Sequence, residues 1–249
     1  MTRFTDKVAL VTGAGSGIGR ATAARLASEG ATVACLDVVA DAAEEVAAKI
    51  TADGGTARSW RCDVSDEASV DAVVPEVVDA FGGLDALCNI AGVGKFHHTH
   101  ELVKADWDRM IAVNLTGTML MCRAAIPALI ERRGAIVNTA SSAGLIGQPY
   151  AAAYCASKGG VVLLTKALAT EYDHTGLRVN AIAPGMTDTP IISGFGLPEG
   201  ANYKKIYSLT PVQGACMPEE IAGLFAFVAS DEARNMTGSI IPLDGGITA

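Results

Sequence analysis

The sequence predicts an α/β fold in which one parallel sheet carries helices on both faces. Along the whole chain, short runs rich in β-branched residues alternate with longer, alanine-rich amphipathic segments. Several short runs are apolar with little alternation, as expected for parallel strands that are buried on both faces. Half of the 249 residues are hydrophobic, which is enough for a large core. Repeated strand–helix alternation of this kind is typical of a doubly wound sheet.

Seven segments fit the strand pattern, and the clearest helical patterns lie between the first four of them. The predicted strands are residues 7–12, 31–37, 56–64, 84–92, 134–141, 177–185 and 239–246. The clearest predicted helices are residues 17–30, 39–55 and 69–83, and each ends in glycine, a common helix C-cap. Because no linker or repeat interrupts the pattern, we expect one domain, residues 1–249, with a seven-stranded sheet.

One stretch, residues 186–212, breaks the alternation. It mixes prolines and glycines with apolar and aromatic residues. Long loops inside a compact domain are usually functional, so we predict that this segment is a lid over a ligand. The alternative is that this segment is a surface loop without a function.

Composition excludes several classes of protein. The net charge is −8 and no cluster of Lys or Arg is longer than the pair in ERRG, which argues against nucleic-acid binding. The six cysteines are scattered without a CxxC pair, so we expect reduced core thiols and no zinc site. The apolar stretch near the N-terminus is too short for a signal peptide, and no uninterrupted apolar run reaches about 18 residues. We therefore expect a cytoplasmic protein with no membrane partner.

The turn between the first predicted strand and helix, TGAGSGIG, is rich in glycine. The common G-x-G-x-x-G pattern is not met, because Ile18 stands where its last glycine belongs, but G-x-x-x-G-x-G is met by Gly13, Gly17 and Gly19. Glycine permits a sharp turn and close approach of the backbone to a pyrophosphate. The following helix N-terminus favours an anion. The turn therefore predicts dinucleotide binding.

An acidic residue follows at a suitable distance. Asp37 ends the second predicted strand, 24 residues after Gly13, close to the offset of about 20 at which a carboxylate binds the ribose 2′-hydroxyl. Such a carboxylate repels a 2′-phosphate, and valines rather than cations follow it, so NAD is favoured over NADP. The alternative is an acidic strand end that faces water. Asp63 could meet the adenine amino group.

Four motifs occur in order: TGAGSGIG, NIAG (residues 89–92), YCASK (residues 154–158) and APG (residues 183–185). Together they resemble the short-chain dehydrogenase/reductase family over essentially the whole chain. The resemblance implies a Rossmann-like domain that transfers hydride between NAD and a secondary alcohol or ketone. It also implies a homotetramer, with the long helices around Asn114 and Tyr154 at one interface.

The resemblance assigns Tyr154 as general acid/base and Lys158 as its partner. Residues four apart are neighbours on a helix. A free phenol has a pKa near 10, and a nearby ammonium together with the positive nicotinamide would lower the pKa toward working pH. We therefore expect a lowered pKa for Tyr154. Lys158 would also bind the nicotinamide ribose.

The family's serine matches Ser141, which lies 13 residues before Tyr154 and three before Gly144; Ser142 is the fallback. Its hydroxyl would orient the substrate oxygen and stabilise oxyanion charge. Asn114, in AVNLTG, matches an asparagine that in the family holds a water linking the lysine to solvent. Its alternative is a structural kink in a long helix.

The resemblance also implies a set of cofactor contacts along the chain. They are Gly13, Ser16, Gly17, Ile18, Gly19, Asp37, Asp63, Val64, Asn89, Ala91, Gly92, Tyr154, Lys158, Pro184, Gly185, Thr187 and Thr189. Where the family often has two asparagines, this chain has Asn89 and Ile90, a departure that affects only a structural hydrogen bond. Tyr150 is a candidate substrate-wall residue.

Three of the four histidines, His97, His98 and His100, cluster after the fourth predicted strand. With no carboxylate or cysteine at clear ligand spacing, we predict no metal site and place them at the active-site mouth. The predicted protein is thus an NAD-dependent alcohol dehydrogenase or ketoreductase. Two alternatives stay open: a 3-oxoacyl thioester reductase and a non-catalytic dinucleotide-binding regulator. The substrate, its stereochemistry and the reaction direction are not encoded in any motif.

Overall fold

A computed structural model describes residues 2–191, 196–207, 210–211 and 214–249. The strands are β1 (Val8–Thr12), β2 (Thr32–Asp37), β3 (Thr56–Arg61), β4 (Ala86–Asn89), β5 (Ala135–Thr139), β6 (Arg178–Pro184) and β7 (Ile240–Leu243). The helices are α1 (Gly17–Ser28), α2 (Ala40–Ala52), α3 (Glu67–Phe81), α4 (Lys104–Ile111), α5 (Gly117–Glu131), α6 (Ala152–Glu171), α7 (Tyr203–Tyr207) and α8 (Pro218–Ala229).

The strands form one sheet of seven in the order β3-β2-β1-β4-β5-β6-β7, and every neighbouring pair is parallel. The predicted doubly wound, Rossmann-like architecture is therefore confirmed. All five residues of β1 are buried, which agrees with the apolar, non-alternating pattern of its sequence. β3 and β4 end three residues earlier than predicted, at Arg61 and Asn89, because the chain there turns out of the sheet toward the site described below.

Helices cover both faces of the sheet. On one face, α1, α2 and α8 pack their apolar residues against it, with Leu26, Ile50 and Phe225 buried in a single cluster. On the other face, α3 and α5 form a second cluster that includes Val74 and Leu129. Helix α6 adds a third, smaller cluster beside β6. The amphipathic segments therefore bury the faces that their sequence periodicity indicates.

The three helices predicted to end in glycine end one or two residues before one, at Ser28, Ala52 and Phe81. Gly82 caps α3 in the left-handed conformation (φ 74°), and Gly30 and Gly54, which follow α1 and α2, also have positive φ. Only glycine adopts such angles without strain, which is why the sequence marks these helix ends reliably.

Helices α4 and α5 form one continuous helix, Lys104–Glu131, through a π-helical segment at Ala112–Thr116. By length and composition alone it is apolar enough to cross a membrane, with a hydropathy of 1.4 over its most apolar window. The sequence-based expectation concerned uninterrupted apolar runs, and this helix is interrupted by Asn114 and Arg123. Half of that window is buried inside the protein, where Leu120 and Met121 join the core. A core helix passes the same test.

Candidate active site

A cavity of about 340 Å³ lies beyond the carboxyl ends of β1 and β4. The order of the strands reverses between β1 and β4, and ligands bind at this point in doubly wound sheets. The lining residues are Gly13, Ser16, Gly17, Ile18, Gly19, Asp37, Val38, Cys62, Asp63, Val64, Ser65, Ile90, Ala91, Gly92, Val93, Arg109, Val113, Thr189, Pro190 and Ile191. The cavity thus brings together eleven of the seventeen predicted cofactor contacts.

The glycine turn leaves no room for side chains. Gly13 and Gly17 have positive φ angles of 66° and 47°. A Cβ on Gly19 would lie 2.0 Å from the carbonyl oxygen of Gly13, and a Cβ on Gly13 would lie 2.9 Å from Cα of Ala91. The turn therefore presents bare backbone and the start of α1 to the cavity, an arrangement that fits a pyrophosphate.

Replacing Gly19 with alanine is expected to destabilise the protein by about 2–3 kcal/mol, because the new methyl group overlaps the Gly13 carbonyl. We also expect the affinity for NADH to fall at least about tenfold, since the turn must shift. Chemical denaturation and fluorescence titration measure the two effects. Gly223→Ala is the control, because its Cβ would make only ordinary contact with Arg25 at 3.4 Å. Unchanged NADH affinity in a folded Gly19→Ala variant would contradict the assigned role of the turn.

Two carboxylates lie at the far end of the cavity. Asp37 accepts hydrogen bonds from the backbone N–H groups of Gly15 (2.9 Å) and Val39 (3.0 Å), which fix its orientation. Asp63 accepts bonds from the N–H (3.0 Å) and the hydroxyl (2.6 Å) of Ser65. The bond from the Ser65 hydroxyl is the main reason that the pKa of Asp63 lies below its ordinary value. Both carboxylates are thus held in place as hydrogen-bond acceptors facing the cavity.

Several lining residues have no counterpart in the sequence-based prediction. Arg109 reaches the cavity from α4, and its positive charge also favours the ionised form of Asp63. No local motif marks Arg109, because its proximity to the cavity arises only when α4 packs against α6. Ser65 could have been found, since Asp-x-Ser is a common turn in which the hydroxyl bonds the aspartate.

Beyond the cavity, three of the four predicted catalytic side chains converge. The hydroxyl groups of Ser141 and Tyr154 are joined by a hydrogen bond. Ser141 is buried, and its Oγ accepts the N–H of Ala143 (3.2 Å) and lies 3.4 Å from the carbonyl oxygen of Pro184. The amine of Lys158 lies 5.9 Å from the centre of the Tyr154 ring. Ser141, the preferred of the two candidate serines, is thus the one that contacts the phenol.

The other candidate, Ser142, is 1% exposed and receives a bond from the side-chain amide of Gln148 (3.4 Å). Gly144 explains the family spacing in physical terms. A Cβ at this position would lie 2.7 Å from the carbonyl of Lys158, so only glycine lets the loop approach α6.

The pKa of Tyr154 is raised in the protein without a cofactor. Burial raises it to about 12, and the bond with Ser141 offsets only part of that effect. The lowering expected from Lys158 together with a bound nicotinamide stays a prediction for the complex with NAD, because Lys158 alone does not produce it. The reason is that the ammonium lies beside the ring and bonds the carbonyl oxygen of Thr139 (2.7 Å). Burial in turn lowers the pKa of Lys158 to about 8.

The buried lysine makes stability depend on pH. Between pH 8 and about 10.5, Lys158 is protonated in the unfolded chain but not in the folded protein, so rising pH removes a penalty on folding. We expect the free energy of unfolding of the wild type, relative to Lys158→Met, to rise by about 3 kcal/mol across this range. Denaturant titrations of both proteins measure the difference. Taking the difference matters, because buried thiols such as Cys88, whose pKa is raised to about 12, act in the opposite direction. A difference that stays constant with pH would contradict a depressed lysine pKa.

Asn114 lies in the π-helical segment and is fully buried. Its Oδ1 accepts the N–H of Val93 (2.8 Å), and its Nδ2 donates to the carbonyl of Val93 (2.9 Å) and to the hydroxyl of Ser157 (3.0 Å). Both side-chain hydrogens are used, so Asn114 clamps the backbone after Gly92. π-Helical segments are often found at functional sites. If Asn114 holds a water as the resemblance implies, the water would bond the second lone pair of its side-chain oxygen.

The remaining predicted contacts fall outside the cavity lining. Asn89 is the clearest departure: its Nδ2 donates to Asn138 (2.9 Å) inside the protein, so its side chain is structural. Pro184 and Gly185 end β6 next to Ser141 and Asp244. Thr187 is buried and pairs through the backbone with Cys216, whereas Thr189 beyond it does line the cavity.

The histidine loop lies near α4 and the loop before α6. His97 Nε2 is 2.9 Å from the carboxylate of Asp106, which Lys95 also contacts at 2.9 Å. Among the described residues, no group of three or more His, Cys, Asp or Glu side chains is placed to hold a metal ion. Of the predicted lid at 186–212, residues 192–195, 208–209 and 212–213 lie outside the described part of the chain.

A parallel sheet, a glycine-lined cavity at its switch point and a bonded Ser–Tyr pair beside a buried lysine define a dinucleotide-dependent oxidoreductase of the α/β class. A family model described as "Enoyl-(Acyl carrier protein) reductase" matches residues 13–248. The chain belongs to the short-chain dehydrogenase/reductase family.

Individual proteins show the same similarity. The chain is 43% identical to D-threitol dehydrogenase of Mycolicibacterium smegmatis, over 99% of this chain and 94% of that protein. It is 39% identical to meso-2,3-butanediol dehydrogenase of Serratia marcescens, over 99% and 96% of the two chains. The crystal structure of 3-ketoacyl-(acyl-carrier-protein) reductase from Brucella melitensis complexed with NADH superposes with a TM-score of 0.90 at 36% identity, covering 99% and 100% of the two chains.

Proposed function

We propose that this protein is an NAD-dependent dehydrogenase that interconverts a secondary alcohol and its ketone. The observation that carries the proposal is the hydrogen bond between Tyr154 and Ser141, with the buried amine of Lys158 beside them and the glycine-lined cavity next to them. A Cβ on Gly92 would lie 3.7 Å from that amine, so the cavity reaches the lysine. When bound, the cofactor would supply the hydride chemistry, with NAD⁺ as the acceptor in oxidation and NADH as the donor in reduction.

The protein's own groups would handle the substrate oxygen and its proton. Ser141 would donate to that oxygen and hold it next to Tyr154. During oxidation, the deprotonated Tyr154 would take the hydroxyl proton, and during reduction its hydroxyl would return a proton. The positive charge of Lys158 would stabilise the phenolate in a site that excludes water. Because burial holds the Tyr154 pKa at about 12, this positive charge is needed for the tyrosine to act as a base at neutral pH.

Cofactor choice rests on Asp37. Its carboxylate lines the cavity and would accept bonds from the ribose hydroxyls but repel a 2′-phosphate. The nearby cation Arg20 already makes a hydrogen bond within the protein, because its Nη2 donates to the carbonyl of Gly15 (2.8 Å). The NADH named for the similar Brucella melitensis structure agrees with this choice.

The relatives indicate the kind of substrate. Two of them are named for oxidation of threitol and butanediol, which supports an alcohol with a vicinal hydroxyl group. A second candidate is reduction of a 3-oxoacyl thioester, favoured by the 3-ketoacyl-(acyl-carrier-protein) reductase named above. A non-catalytic regulator is the third, and the intact Ser–Tyr–Lys set argues against it.

A substrate panel tests these candidates. Purified protein is mixed with NAD⁺ or NADP⁺ and with diols, polyols and cyclic alcohols, and in parallel with NADH or NADPH and a 3-oxoacyl thioester; absorbance of the reduced nicotinamide is followed. We expect turnover of secondary alcohols with NAD⁺. Faster turnover of the thioester with NADPH would overturn the proposal, and absence of all turnover would favour the regulator.

We further propose a cytoplasmic homotetramer. Met119 on α5 and Leu163 on α6 expose 37% and 67% of their surfaces, which supports coverage of these helices by another copy of the chain. All six cysteines are free thiols, which suits a reducing compartment. Light scattering after size-exclusion chromatography measures the assembly; a monomer would contradict it.

A further inference from the structure

Two side chains outside the catalytic set contact the backbone of one distant segment. The ring nitrogen Nε2 of His98 lies 2.9 Å from the carbonyl oxygen of Glu199. A carbonyl can only accept, so Nε2 carries the hydrogen and donates it. The hydroxyl of Tyr150 accepts the N–H of Asn202 at 2.8 Å. The loop after β4 and the loop before α6 therefore both bond residues 199–202.

His98 and Tyr150 also support each other. Their rings meet edge to face, with centres 5.1 Å apart and an interplanar angle of 87°. The backbone N–H of His97 donates to the carbonyl of Tyr150 at 2.8 Å, which joins the two loops directly. The pair therefore forms one unit with two hydrogen-bonding groups facing the same segment.

Tyr150 adopts a strained backbone conformation, with φ at 66°. Bulky residues rarely adopt left-handed angles, and such strain persists only where the surroundings impose it. The bonds to His97 and Asn202 are the surroundings that impose it here. The strained residue lies four positions before Tyr154, next to the start of α6 at Ala152.

We propose that His98 and Tyr150 are positioning residues that hold residues 199–202 against the substrate side of the active site. Residues 199–202 belong to the irregular segment that the sequence predicts to cover the substrate, and Tyr150 joins them to the helix that carries Tyr154. The pair acts on the shape of the substrate crevice and takes no part in proton transfer. The expected effect on the substrate rests on the proposed function. The contacts of His98 and Tyr150 with residues 199–202 are independent of it.

Limited proteolysis tests the contacts without any turnover. Lys204 and Lys205, shortly after Asn202, are exposed and provide trypsin sites. Tyr150→Phe removes the accepting hydroxyl and keeps the ring, and His98→Phe removes the donor and keeps the ring contact. We expect each variant to be cleaved after Lys204 or Lys205 about threefold to tenfold faster than the wild type, because local opening costs less without one hydrogen bond. His98→Gln, which retains a donor, should restore part of the protection.

Tyr172→Phe is the matched control, since it removes a phenol hydroxyl from the far end of α6 and should leave the cleavage rate unchanged. Wild-type cleavage rates in both Tyr150→Phe and His98→Phe would overturn the proposal. In the kinetic arm, we expect the KM for the alcohol to rise about threefold to tenfold while kcat changes less than about twofold. A loss of kcat at unchanged KM would instead assign these residues to the chemistry. If the wild type turns over no substrate, the proposed function fails, and the proteolysis result still stands.

Discussion

Replacing Tyr154 with phenylalanine is expected to lower kcat for alcohol oxidation by about 10²- to 10⁴-fold, the usual contribution of a general acid/base. Phenylalanine keeps the ring beside Lys158 and removes only the hydroxyl that bonds Ser141. The substrate oxygen then has no group to take its proton. Steady-state kinetics with the best alcohol from the panel measures the effect.

The dissociation constant for NADH separates catalysis from binding in the same variant. We expect it to change less than about threefold, since the lining of the cavity does not include Tyr154. Tyr172→Phe serves again as a control with full activity. Retention of kcat within about tenfold of the wild type would show that another group handles the proton and would remove Tyr154 from the mechanism.

The second large effect concerns cofactor choice. Asp37→Asn keeps the shape of the side chain and one accepting oxygen, which can replace one of the two bonds that Asp37 accepts from Gly15 and Val39 through separate oxygens. It removes the charge that opposes a 2′-phosphate, while Arg61 remains opposite position 37 across the β2–β3 pair. We expect the ratio of kcat/KM for NAD⁺ over NADP⁺ to fall by about 30- to 150-fold, equivalent to about 2–3 kcal/mol.

Asp79→Asn is the control, because it makes the same change of charge on the exposed face of α3, away from the cavity. Its cofactor ratio should equal that of the wild type. If Asp37→Asn leaves the ratio unchanged, or if the wild type already prefers NADP⁺, the reading of Asp37 as the selector is wrong.

Local sequence patterns predicted the fold well because each kind of strand or helix end needs particular residue types in its own segment. Buried parallel strands need apolar runs, and β1 shows this with five buried residues. Left-handed helix ends need glycine, and Gly82 shows this with a φ of 74°. The boundaries of β3 and β4 were less predictable, because the same apolar residues continue into the cavity lining after the strand hydrogen bonds stop.

The site residues divide in the same way. Gly19 and the Tyr154–Lys158 pair were predictable because their spacing along a turn or helix fixes their geometry. The structural role of the Asn89 side chain was not predictable. It donates to Asn138 on β5, and only formation of the sheet brings β5 next to β4. Arg109 was missed for the same reason: it reaches Asp63 from a helix 46 positions later in the chain.

Patterns along the chain predicted the alternation of strands and helices, the bare glycine turn, and the set of serine, tyrosine and lysine. These features depend on contacts between residues that are near in the chain. The lowering of the phenol pKa expected from the sequence required a bound nicotinamide as well as Lys158. The electrostatics depended on packing: burial raises the Tyr154 pKa to about 12 and lowers that of Lys158 to about 8. The physical reason is that desolvation depends on everything packed around a group, and that surrounding is assembled from many separate segments of the chain.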